Sequence, residues 1–153
     1  MEGRHFTSDK EDISSKDITC VIPAYNEARS IGETIEAVLE VGCFSQILVV
    51  DDGSTDETAR IAGEKGATVL RLPGNRGKGE AMNWSLPYIK GDIVAFLDAD
   101  LGRTAREVHK LLLPRVRGEA DMTVAVCPRA PGKGGFGLVK ALARLGVRLL
   151  TGK

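Results

Sequence analysis

Three short runs, "ITCVIPAY" (18–25), "QILVVDD" (46–52) and "DIVAFLD" (92–98), are apolar almost end to end and close on polar or acidic residues. A strand with one wet face alternates apolar and polar residues, whereas a strand buried on both faces does not. Segments of helical character separate the runs. "RSIGETIEAVLEVG" spaces Ile31, Ile35, Val38 and Leu39 as one helix face before Gly42, and "STDETARIAGEKG" ends at Gly66. "ATVLRL" (67–72) adds a third strand in chain order, which makes "DIVAFLD" the fourth, and "DMTVAVC" (121–127) adds a fifth. Helices are expected at about 80–88, ended by Pro87, and over "TAREVHKLLLPRV". Ser30 with Glu33, Ser54 with Glu57 and Thr104 with Glu107 each fit a capping box. The alternation predicts an α/β fold, a doubly wound, mostly parallel sheet.

In such sheets ligands bind outside the carboxyl ends of the strands. The residues with chemistry fall there: Pro23 to Glu27, Asp51 to Ser54, Asn75 to Gly79, and the pair Asp98 and Asp100. Asp98 and Asp100 are hard oxygen donors at the mouth of an apolar strand. They suit Mg²⁺ or Mn²⁺, which keep waters and take further ligands from phosphate; the alternative is a solvated turn. In "VVDDGSTDE" the acids and Ser54 serve as turn and cap residues, as acceptors for a nucleobase or ribose, or as both. "PGNRGKGEAM" (73–82) offers exposed amides, Arg76 and Lys78 at the start of a helix, a combination suited to a diphosphate. It is neither a P-loop nor a GxGxxG loop.

Acids and bases balance at 21 each, so no long-range field argues for nucleic acid. Cys20, Cys43 and Cys127 are too scattered for a zinc site, read best as buried free thiols, and fit a reducing cytosol. Residues 1–17 are polar, lack the apolar core of a signal peptide, and are expected to be a mobile tail before a domain over 18–130. In 131–153, Phe136, Val139, Leu142 and Leu145 mark an apolar stripe, and Lys140, Arg144 and Arg148 a basic face. That helix either packs on the domain or, over 136–150, meets an anionic membrane surface. The expected location is cytoplasmic, with the inner membrane face as a candidate contact.

"VIPAYNE", "VVDDGSTDET", "NRGKGEAMN" and "FLDADLG", in this order and spacing, resemble the family 2 glycosyltransferases of the GT-A fold. The resemblance implies transfer of a sugar from a UDP- or GDP-sugar to an acceptor such as a lipid phosphate, an envelope glycan or a small phosphorylated molecule, with a divalent cation. It implies that Pro23, Ala24, Tyr25 and Glu27 line the nucleoside pocket and that Asp52 or Asp51 contacts base or ribose. It further implies Lys78 at the diphosphate, Asp98 near ribose or sugar, and Asp100 as a metal ligand, with Asp98 and Asp100 at the catalytic centre.

The chain departs from polyprenyl-phosphate sugar synthases, which often continue DADLQH, at Gly102 and Arg103. "GKGEAMNWSL" is similar to the corresponding loop of glucosyl-3-phosphoglycerate synthases, which leaves the stereochemical course open. Family members usually run longer than 153 residues, so the chain is expected to be the donor-binding part of a larger transferase, with 131–153 opening the acceptor region and the general base lying further on. His109 is expected on an apolar-faced helix rather than in the chemistry. Two other readings are a nucleotide-sugar-binding module without turnover and a receiver-type phosphoacceptor domain. In a receiver the acidic pair follows the first strand, and here "ITCVIPAYNE" precedes it.

Overall fold

Alternate residues of the first strand, β1 (Ile18–Ala24), enter two different cores. Ile18, Cys20 and Ile22 join a large cluster with Val49 of β2 (Gln46–Asp51) and with Ile35 and Val38 of α1 (Ile31–Val41). Val21 points the other way, into a smaller cluster with Leu48, Val50, Leu72 and Ala81. The pleat sends neighbours to opposite faces, and both faces are covered, so the strand carries no polar alternation. The computed structural model describes residue 13 and residues 15–126.

The sheet has four parallel strands in the order β3, β2, β1, β4, with β3 at Thr68–Arg71 and β4 at Ile93–Phe96. Helix α2 (Thr58–Glu64) joins β2 to β3, and α3 (Lys78–Ser85) followed by a 3₁₀ turn (Leu86–Tyr88) joins β3 to β4. The chain moves outward from β1 through β2 to β3, then returns to the far side of β1 as β4. The reversal between β1 and β4 opens a crevice at their carboxyl ends, where an open α/β sheet binds ligands. A 3₁₀ segment (Gly102–Val108) and α4 (His109–Val116) follow, with Ala105, Val108 and Leu112 closing the larger core.

Several local expectations are corrected. None of the three capping boxes forms: the residues starting α1, α2 and the 3₁₀ segment make no side-chain cap. Ser30 Oγ donates to Glu27, Ser54 Oγ accepts from the Asn26 amide, and Thr104 Oγ1 donates to the Leu101 carbonyl. The stretch expected as one helix from Thr104 begins as the tighter 3₁₀ form. Helix α3 starts at Lys78, two residues earlier than expected, which puts that lysine in its first turn.

Residues 121–126 form no strand. Met122, Val124 and Val126 are exposed, and the Thr123 hydroxyl, donating to the Leu111 carbonyl at 2.7 Å, ties the segment to α4. Alternating apolar residues give strand propensity, but propensity does not by itself pair a segment, and this one joins neither β3 nor β4, the edges of the sheet. Ile13, within the stretch expected as a tail, is buried in the larger core. Cys20 and Cys43 are buried and in no disulfide, as expected; burial, then the neighbouring Cys43, push the Cys20 thiol up to about 12, so it stays neutral. Cys127 and the basic helix over 136–150 lie outside the described residues. Among the described residues no helix is long and apolar enough to cross a membrane.

Candidate donor-binding site

A cavity of about 270 Å³ opens at the carboxyl ends of β1 and β4. It is lined by Pro23, Ala24, Tyr25, Glu27, Asp52, Lys78, Ala81, Asp98, Ala99 and Asp100. Sequence reasoning therefore reached every charged lining residue. It missed Ala81 and Ala99, whose only signal was their place beside Lys78 and between the two acids.

The wall after β1 is held by the loop after β2. The Asn26 amide donates to Ser54 Oγ at 2.9 Å, the Glu27 amide to Thr58 Oγ1 at 2.8 Å and the Ala28 amide to Asp56 Oδ2 at 3.1 Å. In the other direction the Thr55 amide donates to Asn26 Oδ1 at 2.8 Å. Asn26 takes a left-handed φ of 54°, which asparagine tolerates better than most residues. "GSTDET" is thus a latch that fixes Tyr25 and Glu27. Asp56 anchors it: partial desolvation would raise its carboxyl, but hydrogen bonds from the Thr58 hydroxyl and from the Thr58, Ala28 and Asp56 amides hold it below the usual carboxylate range.

The two neighbouring acids have different surroundings. Asp51, the last residue of β2, is fully buried and does not line the cavity. Its Oδ1 accepts from the Ser54 amide at 3.1 Å, while Oδ2 faces Arg71 Nε at 3.2 Å as an ion pair without hydrogen-bond alignment. Asp52 does reach the cavity. Its two oxygens accept from the Arg76 amide at 2.8 Å and the Gly77 amide at 2.7 Å, tying down the basic glycine loop. Gly53 lets that loop come close: its φ is +72°, and a Cβ there would lie 2.5 Å from Gly74 Cα. Of the alternatives Asp51 and Asp52, only Asp52 lines the cavity, although it too is buried, with 3% of its surface exposed.

Across the cavity, Lys78 forms an ion pair with Asp98 Oδ1, and both side chains are more than half exposed. Asp98 and Asp100 present carboxylates on either side of buried Ala99. Among the described residues no three His, Cys, Asp or Glu side chains gather into a cage. Two exposed carboxylates fit a divalent ion that draws its remaining ligands from diphosphate and water, and Asp98 already attracts a cationic group. Arg76, counted with the anion loop in the sequence, contributes its backbone amide to Asp52 but does not line the cavity. His109 Nδ1 contacts the Arg106 carbonyl at 2.8 Å, and the residue does not line the cavity.

Residues 19–142 match the family model for glycosyl transferase family 2. An uncharacterised protein of Methanocaldococcus jannaschii is 34% identical over 146 residues, 92% of this chain and 59% of that protein. The glucosyl-3-phosphoglycerate synthase of Mycobacterium tuberculosis is 38% identical over 114 residues, 69% of this chain and 34% of that one. The crystal structure of that synthase with UDP superposes with a TM-score of 0.72 at 30% identity, covering 95% of this chain and 54% of the other. A further structure of it, with Mn²⁺, UDP and glucosyl-3-phosphoglycerate, gives a TM-score of 0.67 at 32% identity, covering 78% and 46%. The chain thus spans between a third and three fifths of the length of these relatives. Its fold is that of the GT-A glycosyltransferases. By its four-stranded core, its carboxylate-bearing crevice and this match over most of its length, the chain belongs to glycosyl transferase family 2.

Proposed function

We propose that this chain is the donor-binding part of a glycosyltransferase that uses a nucleoside diphosphate sugar, a UDP-sugar in first place, with Mg²⁺ or Mn²⁺. The observation that carries the reading is a cavity whose lining brings the acceptors Glu27 and Asp52 together with Lys78, Asp98 and Asp100. The M. tuberculosis synthase, similar in fold, has been crystallised with UDP and either ion, which supports the choice of base and metal. Acceptor and full turnover belong to the complete transferase. A small phosphorylated hydroxy acid is the acceptor we favour, since that synthase also binds phosphoglyceric acid. A cytoplasmic site of action accords with the reduced, buried thiols.

In this reading the base and ribose rest on Pro23, Ala24 and Tyr25, with Glu27 and Asp52 as hydrogen-bond acceptors. Asp98 and Asp100 hold the cation, which supplies neutralisation of charge on the departing diphosphate. When donor enters, Lys78 exchanges Asp98 for a phosphate oxygen. Placed in the first turn of α3, its ammonium stabilises the leaving group alongside the helix N-terminus. The acceptor hydroxyl oxygen attacks the anomeric carbon, the bond from that carbon to the diphosphate oxygen breaks, the nucleoside diphosphate leaves with the electron pair, and the hydroxyl proton passes to a diphosphate oxygen or to water.

Calorimetry of the chain with UDP, with and without Mn²⁺, tests this directly. Mn²⁺ is expected to strengthen UDP binding at least tenfold, and Asp100→Ala to abolish that gain while leaving the melting temperature within a degree or two. Absence of UDP binding in both conditions rejects the donor-site reading; a gain that survives Asp100→Ala rejects Asp100 as the ligand.

A further inference from the structure

We propose that Thr34, on α1 and outside the cavity, is the positioning residue that sets the geometry of Asp100 for the cation; this rests on the donor-site reading above. Thr34 is fully buried, and its hydroxyl serves two backbone groups that flank Asp100. Thr34 Oγ1 donates to the Ala99 carbonyl at 2.8 Å and accepts from the Gly102 amide at 2.9 Å. A hydroxyl has one proton to give and lone pairs to receive, so one side chain closes both ends of the short loop 99–102. By contrast, the Thr104 hydroxyl that donates to the Leu101 carbonyl is exposed.

The rest of the loop depends on this clamp. The Leu97 amide donates to the Val21 carbonyl at 3.0 Å and ties the loop's start to β1, and residues 99 and 100 form a turn. Gly102 has a φ of +53°, a left-handed value that glycine adopts without strain, and the nearest atom a Cβ there would meet, at 2.8 Å, is Glu33 Oε2, the movable end of a side chain from α1. Glu33 pairs in turn with Arg103 Nε at 3.1 Å. Helix α1 therefore grips the loop twice, through a buried hydroxyl and an exposed ion pair. Asp100 itself is exposed, so its position is set by the backbone on either side of it, and that backbone is held by Thr34. Groups behind a metal ligand fix its orientation, and their loss costs about 10 to 100-fold in metal affinity.

The test compares Thr34→Val, which keeps the shape and removes both hydrogen bonds, with Thr34→Ser, which keeps the hydroxyl. UDP affinity is measured by calorimetry for each chain with and without Mn²⁺. Thr34→Val is expected to lose about tenfold or more of the Mn²⁺-dependent gain while binding UDP alone as the unsubstituted chain does, and Thr34→Ser to retain most of the gain. A Thr34→Val chain with the full gain overturns the proposal. So does an equal fall with and without Mn²⁺, which marks a purely structural residue. An unsubstituted chain without any Mn²⁺-dependent gain instead overturns the reading on which the proposal rests. Hydrogen exchange of the Gly102 amide in the unsubstituted chain needs no variant: slow exchange is expected, and exchange at the rate of a free amide overturns the clamp.

Discussion

The two walls of the cavity are built in opposite ways. The wall after β1 and β2 is a lattice of backbone amides bonded to Ser54, Thr58, Asp56 and Asn26, with Asp52 spending both oxygens on the glycine loop. The wall formed by Lys78, Asp98 and Asp100 is exposed, and the one ion pair on it is between partners at the surface. An exposed ion pair is weak and exchanges readily, whereas a set of cross-linking amide bonds, most of them partly buried, moves only if several bonds break together. The contrast suits a ligand with one end of fixed shape and another end whose charge must be met by whatever cation is present. Thr34 belongs to the first kind of construction but acts on the second wall, holding backbone while the Asp100 carboxylate stays free.

Breaking the rigid wall should have the largest effect. Gly53→Ala forces a side chain into a left-handed φ and against the backbone of Gly74. Strain of about 1 to 2 kcal/mol and overpacking of about 1 to 3 kcal/mol add to a loss of roughly 2 to 5 kcal/mol, read by urea denaturation. UDP binding should fall with it; a variant as stable as the parent would show that the loop yields freely and the wall is not rigid.

The exposed wall should respond in binding and not in stability. Lys78→Met removes the cation at the start of α3, and the loss of one charged hydrogen bond to phosphate is worth about 1.5 to 3 kcal/mol, or roughly 10 to 150-fold in UDP affinity. The melting temperature should stay near that of the parent, because the Lys78 and Asp98 pair is exposed. Equal affinities for the parent and Lys78→Met would remove Lys78 from the diphosphate site.

The smallest effect, and the sharpest on the latch, is its response to acid. The Asp56 carboxyl is held below its unfolded value, so folding favours its ionised form. The latch is at full strength above the unfolded value and weakens as pH falls through the lower folded one. Stability from Asp56 should therefore be level at neutral pH and decline only under strongly acid conditions, and Asp56→Asn should flatten that limb. Identical acid limbs in the two chains would show that Asp56 does not anchor the latch.

The sequence made the sheet and the location of the site legible for a physical reason: strands covered on both faces must be apolar throughout, and their carboxyl ends are where such sheets bind. The serine and threonine residues three ahead of a glutamate were misleading. A hydroxyl beside a helix start fits a cap as well as it fits a distant loop amide, and sequence distance carries no information about which amide comes near. Ser54 meets an amide 28 residues away, while Ser30 and Thr104 turn back to groups three residues before them. The expected fifth strand failed similarly, since propensity is local and pairing is not.

What the sequence by itself determined is the alternation of buried strands with helices and the presence of acids, bases and glycines at the strand ends. Tertiary structure alone decided which of two adjacent aspartates reaches the cavity. Along β2, Val49 packs into the larger core and Val50 into the smaller, so consecutive residues face opposite sides, and the structure buries Asp51 while Asp52 reaches the glycine loop. It also decided that Thr34, a residue with no motif around it, lies behind Asp100. Helix α1 and the loop after β4 are 65 residues apart in the chain and become neighbours only because the sheet places β4 beside β1.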